Sequence, residues 1–219
     1  MSAVAGARRT RDAARTRAVI LDAAEALFAN RGFDGVSLTN VGAAAGVSRA
    51  TPGYFFESKT GLYAAVLARL FDARTTALAP AFGAVAAWAA SENDSDPIEP
   101  LLAGAVDAYL AFLYERQTFV ALIEREALDG GRRLGATFHD SPVIADALHA
   151  LRAVADRRGL RRFDPDQVLI ALLAVSFFPL AHQATLLPNL GLDVNDPAFR
   201  RAHRTQVLDV VRRAVLAQP

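Results

Sequence analysis

Residues 37–51 read Ser37-Leu38-Thr39-Asn40-Val41-Gly42-Ala43-Ala44-Ala45-Gly46-Val47-Ser48-Arg49-Ala50-Thr51, and this stretch has the layout of a helix-turn-helix. Two helices that cross closely need a small residue where they touch, and Gly42 stands at that place. The turn between them needs a positive φ, which Gly46 supplies at no steric cost. Val41 and Val47 are placed to anchor the helices on the core beneath. Ser37 is a natural N-cap for a first short helix ending at Ala45, and Ser48 for a second reaching about Phe56. The second helix must turn small or polar side chains outward to enter a major groove, and Arg49, Thr51 and Tyr54 can do so.

Upstream, a helix over about Arg11–Asn30 carries Val19, Ile20, Ala23, Ala24, Leu27 and Phe28 on one face at the 3.6-residue period. Gly32 follows as its left-handed stop. Residues 1–10 show no periodicity and read as a flexible basic arm; Arg8, Arg9 and Arg11 suit either an adjacent minor groove or solvent. Downstream, Glu57-Ser58 breaks the pattern and a longer helix runs from Lys59 into the seventies. The first folded domain is therefore expected over 11–75, with the helix-turn-helix at about 37–56.

The remaining residues, 76–219, read as helix after helix. One is expected at 76–90 before the polar loop of residues 91–97, the next from between Pro97 and Pro100 to Tyr114, and another at 117–129 before Gly130-Gly131. Ser141-Pro142 opens a helix that ends at Gly159. Asp164-Pro165-Asp166-Gln167 opens another, with Gln167 placed to complete a capping box. Asp196-Pro197 opens the last, with Val207, Leu208, Val211 and Val215 on one face. No run alternates as a strand would, so the fold class is all-α, with about nine or ten helices in a small N-terminal and a larger C-terminal domain.

The order of short motifs in the first domain is more specific than its periodicity. Ile20-Leu21-Asp22-Ala23-Ala24, Leu27-Phe28-Ala29, Gly32-Phe33, Ala45-Gly46-Val47-Ser48 and Phe56-Glu57-Ser58-Lys59 with Leu62 resemble the DNA-binding domain of the tetracycline-repressor (TetR) family over about residues 15–65. The resemblance implies an all-helical homodimer with two N-terminal DNA-reading heads and C-terminal domains that bind a small ligand and pair the subunits. It further implies that Ser37 and Thr39 contact phosphates, and that Lys59, at the start of the fourth helix, holds a phosphate with that helix N-terminus. Ser48, Arg49, Ala50, Thr51 and Tyr54 fall where the recognition helix faces base edges or backbone. Arg49 suits either guanine, whose N7 and O6 match a guanidinium, or a phosphate. Two positions depart from the family pattern. Pro52 replaces an aliphatic residue, and Gly53 replaces a tyrosine that touches phosphate, so a tighter or kinked recognition helix is expected, with Tyr54 or Phe55 taking over the aromatic contact.

Composition narrows the functions available. The chain has 219 residues, 53% hydrophobic and 21% charged with a net charge of +1, which excludes disorder for most of it. It has no cysteine, so disulfides, thiolate metal sites and a cysteine nucleophile are excluded. No cofactor and no metal is expected, and the absence of phosphate-loop, metal-spacing and nucleophile motifs speaks against an enzyme. A helical enzyme using His139 or His182 with Asp140 is the weakest alternative; a helix-turn-helix protein acting through protein partners is another. Charge is uneven: ten basic against six acidic side chains give residues 1–75 a balance of +4, leaving −3 for the rest, so the first third is the part suited to a polyanion. With no signal peptide at the start, a cytoplasmic bacterial protein is expected, on the nucleoid when bound to DNA.

In the second domain, residues 168–192 hold no Asp, Glu, Lys or Arg. Pro179, His182, Gln183, Pro188 and Asn189 interrupt them, so they read as a core helix or a subunit interface rather than a membrane span. Residues 164–187 and 196–217 are the expected homodimer helices, forming a four-helix bundle with their copies. Trp88, Tyr109, Phe112, Phe119, Phe178 and His182 are candidates for lining a pocket for an apolar or aromatic effector, or else for the core. Glu124, Arg125 and Glu126 with Arg132 and Arg133 read as a solvated face.

Overall fold

The computed structural model describes residues 2–91, 97–135, 142–157 and 160–216, and every regular element in them is helical. In chain order these are α1 (Ser2–Arg31), α2 (Leu38–Ala44), α3 (Thr51–Phe56), α4 (Lys59–Ala90), α5 (Glu99–Glu115), α6 (Gln117–Leu128), α7 (Pro142–Ala155), α8 (Pro165–Ala181), a 3-10 turn at Leu187–Leu190, and α9 (Pro197–Val215). The all-α expectation holds. Of the expected caps, Ser37, Asp164 and Asp196 each accept backbone N–H groups at a helix start. Ser141 and Gly159, expected to bound α7, lie outside the described residues.

Three boundaries and one helix face differ from the sequence reading. α1 starts at Ser2 rather than Arg11, so the segment expected as a flexible arm is helical; Ala3, Ala5, Ala7, Arg8 and Arg9 are all good helix formers. The side chains of Arg8 and Arg9 lie outside the description. α3 begins at Thr51, and Ser48 does not cap it: the N-cap is Ala50, while Ser48 Oγ pairs with Thr51 Oγ1 at 2.7 Å. Proline explains the shift, because Pro52 then falls in the first turn, where its missing N–H would have had no intrahelical partner. The expected kink is thus replaced by a shorter helix. The two helices expected at 59 to the seventies and at 76–90 are one, since nothing between them stops a helix and Pro80 is accommodated inside it. Finally, Val19 is 39% exposed and lies off the buried face of α1.

The chain divides into two compact units, Met1–Phe71 with Ala121–His139, and Asp72–Val120 with Asp140–Pro219. The first unit thus includes a second stretch, Ala121–His139, far along the chain from the rest of it. The core of the first unit is Ile20, Ala24, Phe28, Val41, Leu62 and Val66, all fully buried. Arg69 of α4 ties to α1 through Asp22 at 2.6 Å and Glu25 at 2.5 Å. The recruited stretch is held by polar groups. Arg125 donates to the carbonyls of Ala29 (3.0 Å) and Asn30 (2.9 Å), satisfying the orphan end of α1 with a cation where its dipole is negative. Glu126 is 1% exposed and accepts from the Tyr63 hydroxyl at 2.8 Å and from the Arg133 backbone N–H at 3.1 Å. The cluster read as a solvated face is therefore in part the seam of this unit.

In the second unit, Val85 of α4, Leu102, Val106 and Leu110 of α5, Ala150 and Val154 of α7, and Val207, Leu208, Val211 and Val215 of α9 form one apolar cluster. The face predicted for α9 is the face it buries. Ion pairs Arg204–Asp107 (2.8 Å between Nη2 and Oδ2) and Arg212–Glu99 (2.7 Å) join α9 to α5 at the rim. Among the described residues no helix is long and apolar enough to cross a membrane.

Candidate nucleic-acid interface and apolar cavity

The helix-turn-helix is built as its small residues require. A Cβ on Gly42 would lie 3.1 Å from the Ser48 carbonyl oxygen and 3.3 Å from Arg49 Cα, so any larger residue would press the turn away from α2 by a few tenths of an ångström. Gly46 takes φ +66°, the left-handed geometry expected of it. Val41 is fully buried and Val47 half-buried. Pro52 is buried with its ring against Gly42, filling from α3 the contact an aliphatic side chain would fill.

Burial then sorts α3 into two faces. Pro52 and Phe56, four residues apart, point inward; Ala50 and Tyr54, also four apart, point outward, with Tyr54 84% exposed. Arg49 and Ser48 are exposed in the preceding turn and Thr51 is half-buried. Tyr54 stands edge-on to Phe55 at 5.4 Å, so the exposed ring has an aromatic support. Gly53 has only Leu38 Cδ1 near its hypothetical Cβ, at 3.8 Å. At the start of α2, Thr39 is exposed, whereas the Ser37 hydroxyl is engaged: it accepts from Asn40 N at 3.1 Å and donates to Asn40 Oδ1 at 2.7 Å. Asn40 also accepts from Ser37 N at 3.1 Å, completing a capping box that the sequence reading did not anticipate.

The junction of α3 and α4 places Lys59. Glu57 adopts φ +64° and Ser58 N donates to Phe56 O at 2.6 Å, a γ-turn that redirects the chain within one residue. Ser58 Oγ then accepts from Gly61 N at 3.0 Å and starts α4. A Cβ on Gly61 would sit 2.4 Å from Phe56 O, so that glycine is required by the turn. Lys59 is half-buried with Nζ 4.3 Å from the centre of the Phe33 ring, and the Arg133 guanidinium lies 4.4 Å from the same ring centre. Phe33 in turn meets Tyr63 edge-on at 5.2 Å. Lys59 is an expected site residue, whereas Phe33 and Arg133, both distant from it in sequence, were not expected to meet it.

The second unit contains a cavity of about 110 Å³ between α4, α5, α7, α8 and α9. Its wall is apolar, from Leu78, Phe82, Val106, Leu151 and Leu172 among others, with Arg74, Tyr109 and Ser176 as its polar members. Of the six pocket candidates, the structure brings Tyr109 to this wall. Phe112 and Phe119 are buried against each other at 5.0 Å, and Trp88 packs on the core cluster under the Arg157 guanidinium. Phe178, 49% exposed, stacks on His182 at 4.1 Å. His139 and Asp140, named for the enzyme alternative, lie outside the described residues. Arg74 and Ser176 went unnoticed in the sequence. Burial lowers the Arg74 pKa and pushes the Tyr109 hydroxyl up to about 12, so Tyr109 stays protonated at neutral pH.

Residues 20–66 match the family model of bacterial regulatory proteins, tetR family, and residues 99–211 match that of the tetracyclin repressor-like C-terminal domain. Solved structures share the fold. A TetR-like transcriptional regulator from Rhodococcus sp. RHA1 is 20% identical, with 90% of this chain and 94% of that one covered at a TM-score of 0.63. A TetR family transcription regulator from Marinobacter aquaeolei VT8 is 17% identical, with coverage of 93% and 97% and a TM-score of 0.63. A Streptomyces coelicolor protein described as a transcriptional regulator is 23% identical, with coverage of 91% and 98% and a TM-score of 0.67. No curated protein matches this chain.

Proposed function

Because the chain belongs to the tetR family of bacterial regulatory proteins, we propose that it is a homodimeric repressor released from a palindromic DNA operator by a small effector. The observation that carries the reading is the sorting of α3: Pro52 and Phe56 hold it to the core, leaving Arg49, Ala50 and Tyr54 outward with Thr39 exposed on α2. A helix presented in this way enters a major groove with its early residues at base edges. Arg49 and Tyr54 are the readers in this account. Ser48 and Thr51 hold each other and Ser37 holds Asn40, so these hydroxyls shape the elements as well as facing phosphate. Lys59, over Phe33 at the first position of α4, is the phosphate clamp.

Dimerisation is assigned to the 164–187 segment. Ile170, Ala174 and Phe178 are exposed at four-residue spacing on α8, away from the face that lines the cavity through Leu169, Leu172, Leu173 and Ser176. A stripe of that kind asks for a second apolar surface. The exposed positions of α9, by contrast, include Arg201, Arg204 and Arg213, so this helix belongs at the rim of the interface. The effector occupies the apolar cavity, and its binding and DNA binding oppose each other through one coupling free energy. The protein acts in the bacterial cytoplasm, on the nucleoid when bound.

Selection of bound fragments from a pooled bacterial genome, followed by footprinting, tests the reading. Two protected half-sites about 34–36 Å apart, or a multiple of that spacing, are expected. Protection without sequence preference would contradict it.

A further inference from the structure

The cavity of the second unit carries two hydroxyls at matching places in otherwise apolar stripes. On α8, Leu169, Leu172, Leu173 and Ser176 face it, and on α5 Leu102, Ala105, Val106 and Tyr109 do. Each set follows the i, i+3, i+4, i+7 spacing of one helix face, and on each the hydroxyl takes the i+7 place. Ser176 is 1% exposed, and its Oγ has no hydrogen-bond partner among the described residues. A buried hydroxyl left in that state costs stability, and alanine would fill the place without that cost. Burial keeps the Tyr109 hydroxyl protonated at neutral pH, so it can donate. Arg74, the remaining polar residue of the wall, is already engaged, with the Phe119 ring at 5.5 Å. No carboxylate stands among the described residues of the wall.

Two hydroxyl donors in an apolar chamber suit one acceptor oxygen on an apolar body. A carbonyl oxygen has two lone pairs and can take both. Hydroxyls supply hydrogen bonds but no countercharge, and the guanidinium of the wall is already engaged, so an ionised head would give up its hydration uncompensated. We propose that the effector is a small uncharged carbonyl compound, its oxygen accepting from Ser176 and Tyr109 and its hydrocarbon body against Leu78, Val106, Leu151 and Leu172. The buried Ser176 hydroxyl then gains its partner only when the cavity is filled. The volume of about 110 Å³ is somewhat below the roughly 150 Å³ of an aliphatic cavity that accepts benzene, so the body is on the scale of one ring or a short chain. This assignment names the ligand class within the regulator reading and rests on that reading for its effect on DNA.

The test is calorimetric titration of the full chain at neutral pH with cyclohexanone, against methylenecyclohexane, cyclohexanecarboxylate and cyclohexylamine, which keep the ring and change the head. Cyclohexanone is expected to bind at least about tenfold tighter than the carboxylate and the amine. Ser176→Ala and Tyr109→Phe are each expected to weaken the ketone about three- to tenfold relative to methylenecyclohexane, as the loss of one neutral hydrogen bond would. Without ligand, Ser176→Ala is expected to melt no lower than the unaltered protein, whereas replacing a serine that served the fold would lower the melting temperature. Should Tyr109→Phe fail to fold, Ser176→Ala decides. No ketone binding up to about 10 mM, charged heads binding as well as the ketone, an unchanged ketone-to-alkene ratio in either folded variant, or a lower melting temperature for unliganded Ser176→Ala would overturn the assignment. Operator binding measured on the same preparation separates the two claims. Sequence-selective DNA binding without ketone binding defeats this inference alone, and ketone binding with sequence-blind DNA binding defeats the repressor reading alone.

Discussion

Tyr63 on α4 donates its hydroxyl proton to Oε1 of Glu126 on α6 across 2.8 Å, joining residues 63 positions apart inside the first unit. Burial first, and then the bond to Glu126, pushes the tyrosine pKa well up, so it remains a donor throughout the working pH range. Glu126 also accepts the Arg133 backbone N–H, and Arg133 covers the Phe33 ring that carries Lys59. The second stretch of this unit is thus fastened to the helix that presents the proposed phosphate clamp.

That fastening should be visible in stability. Tyr63→Phe leaves one oxygen of a buried carboxylate without its donor and is expected to cost about 1–3 kcal/mol in urea unfolding. Glu126→Ala strands the tyrosine hydroxyl and the Arg133 N–H together and should cost more. An unchanged midpoint in both variants would mean that the seam contributes nothing.

His203 links α9 to a defect in α8. Pro179 has no N–H, so the Val175 carbonyl four residues earlier lacks its helical donor; His203 Nε2 lies 2.9 Å from that oxygen. Since a carbonyl only accepts, Nε2 carries the proton and Nδ1 accepts from the Tyr114 hydroxyl at 2.7 Å. Burial lowers the His203 pKa from its ordinary value. The unfolded chain then binds this proton at a higher pH than the folded one, so stability falls as pH drops below about 6.5. His203→Gln should flatten that part of the melting temperature profile. An equally steep decline in the variant would assign it to other groups.

Lys59 predicts a salt effect. Replacing it with alanine should weaken binding to all DNA sequences alike and lower the slope of log affinity against log salt by about one per lysine engaged. Lys59→Arg should retain most of the slope, and Phe33→Leu should lose part of the affinity by freeing the ammonium from its ring. A slope that Lys59→Ala leaves unchanged would remove this residue from the interface.

Ile170 and Phe178 test the subunit contact. Changing both to glutamate places charge on the exposed stripe of α8 without touching the cavity wall. The expected result is a monomer by sedimentation, with operator affinity reduced about a hundredfold or more as the two half-sites come to be bound separately. A dimer of undiminished stability would move the interface elsewhere.

Much of this architecture was legible in the sequence, because Gly42, Gly46, Ser37, Asp164 and Asp196 act through local backbone chemistry. The buried face of α9 followed from periodicity for the same reason. Glu126 was misread because a run of charges looks solvated until a distant partner is known, and Tyr63 lies far away in sequence. Proline was misjudged at residue 52, where the helix start moved to accommodate it rather than the helix bending. Arg74 was visible in principle, as an arginine at a position the apolar period reserves for the core, but aromatic residues drew the pocket reading instead. Aromatics such as Phe112 and Phe119 fill space against each other, and sequence spacing does not separate a core ring from a cavity ring.

The most direct measurement is the ratio of affinities for a selected operator and a scrambled duplex of equal length, taken at one salt concentration for the unaltered protein and for Arg49→Ala. A ratio of about 10³ or more is expected, with roughly a tenfold or greater loss in the variant if the guanidinium reads a guanine. A ratio near one for the unaltered protein would contradict a DNA-reading α3 surface.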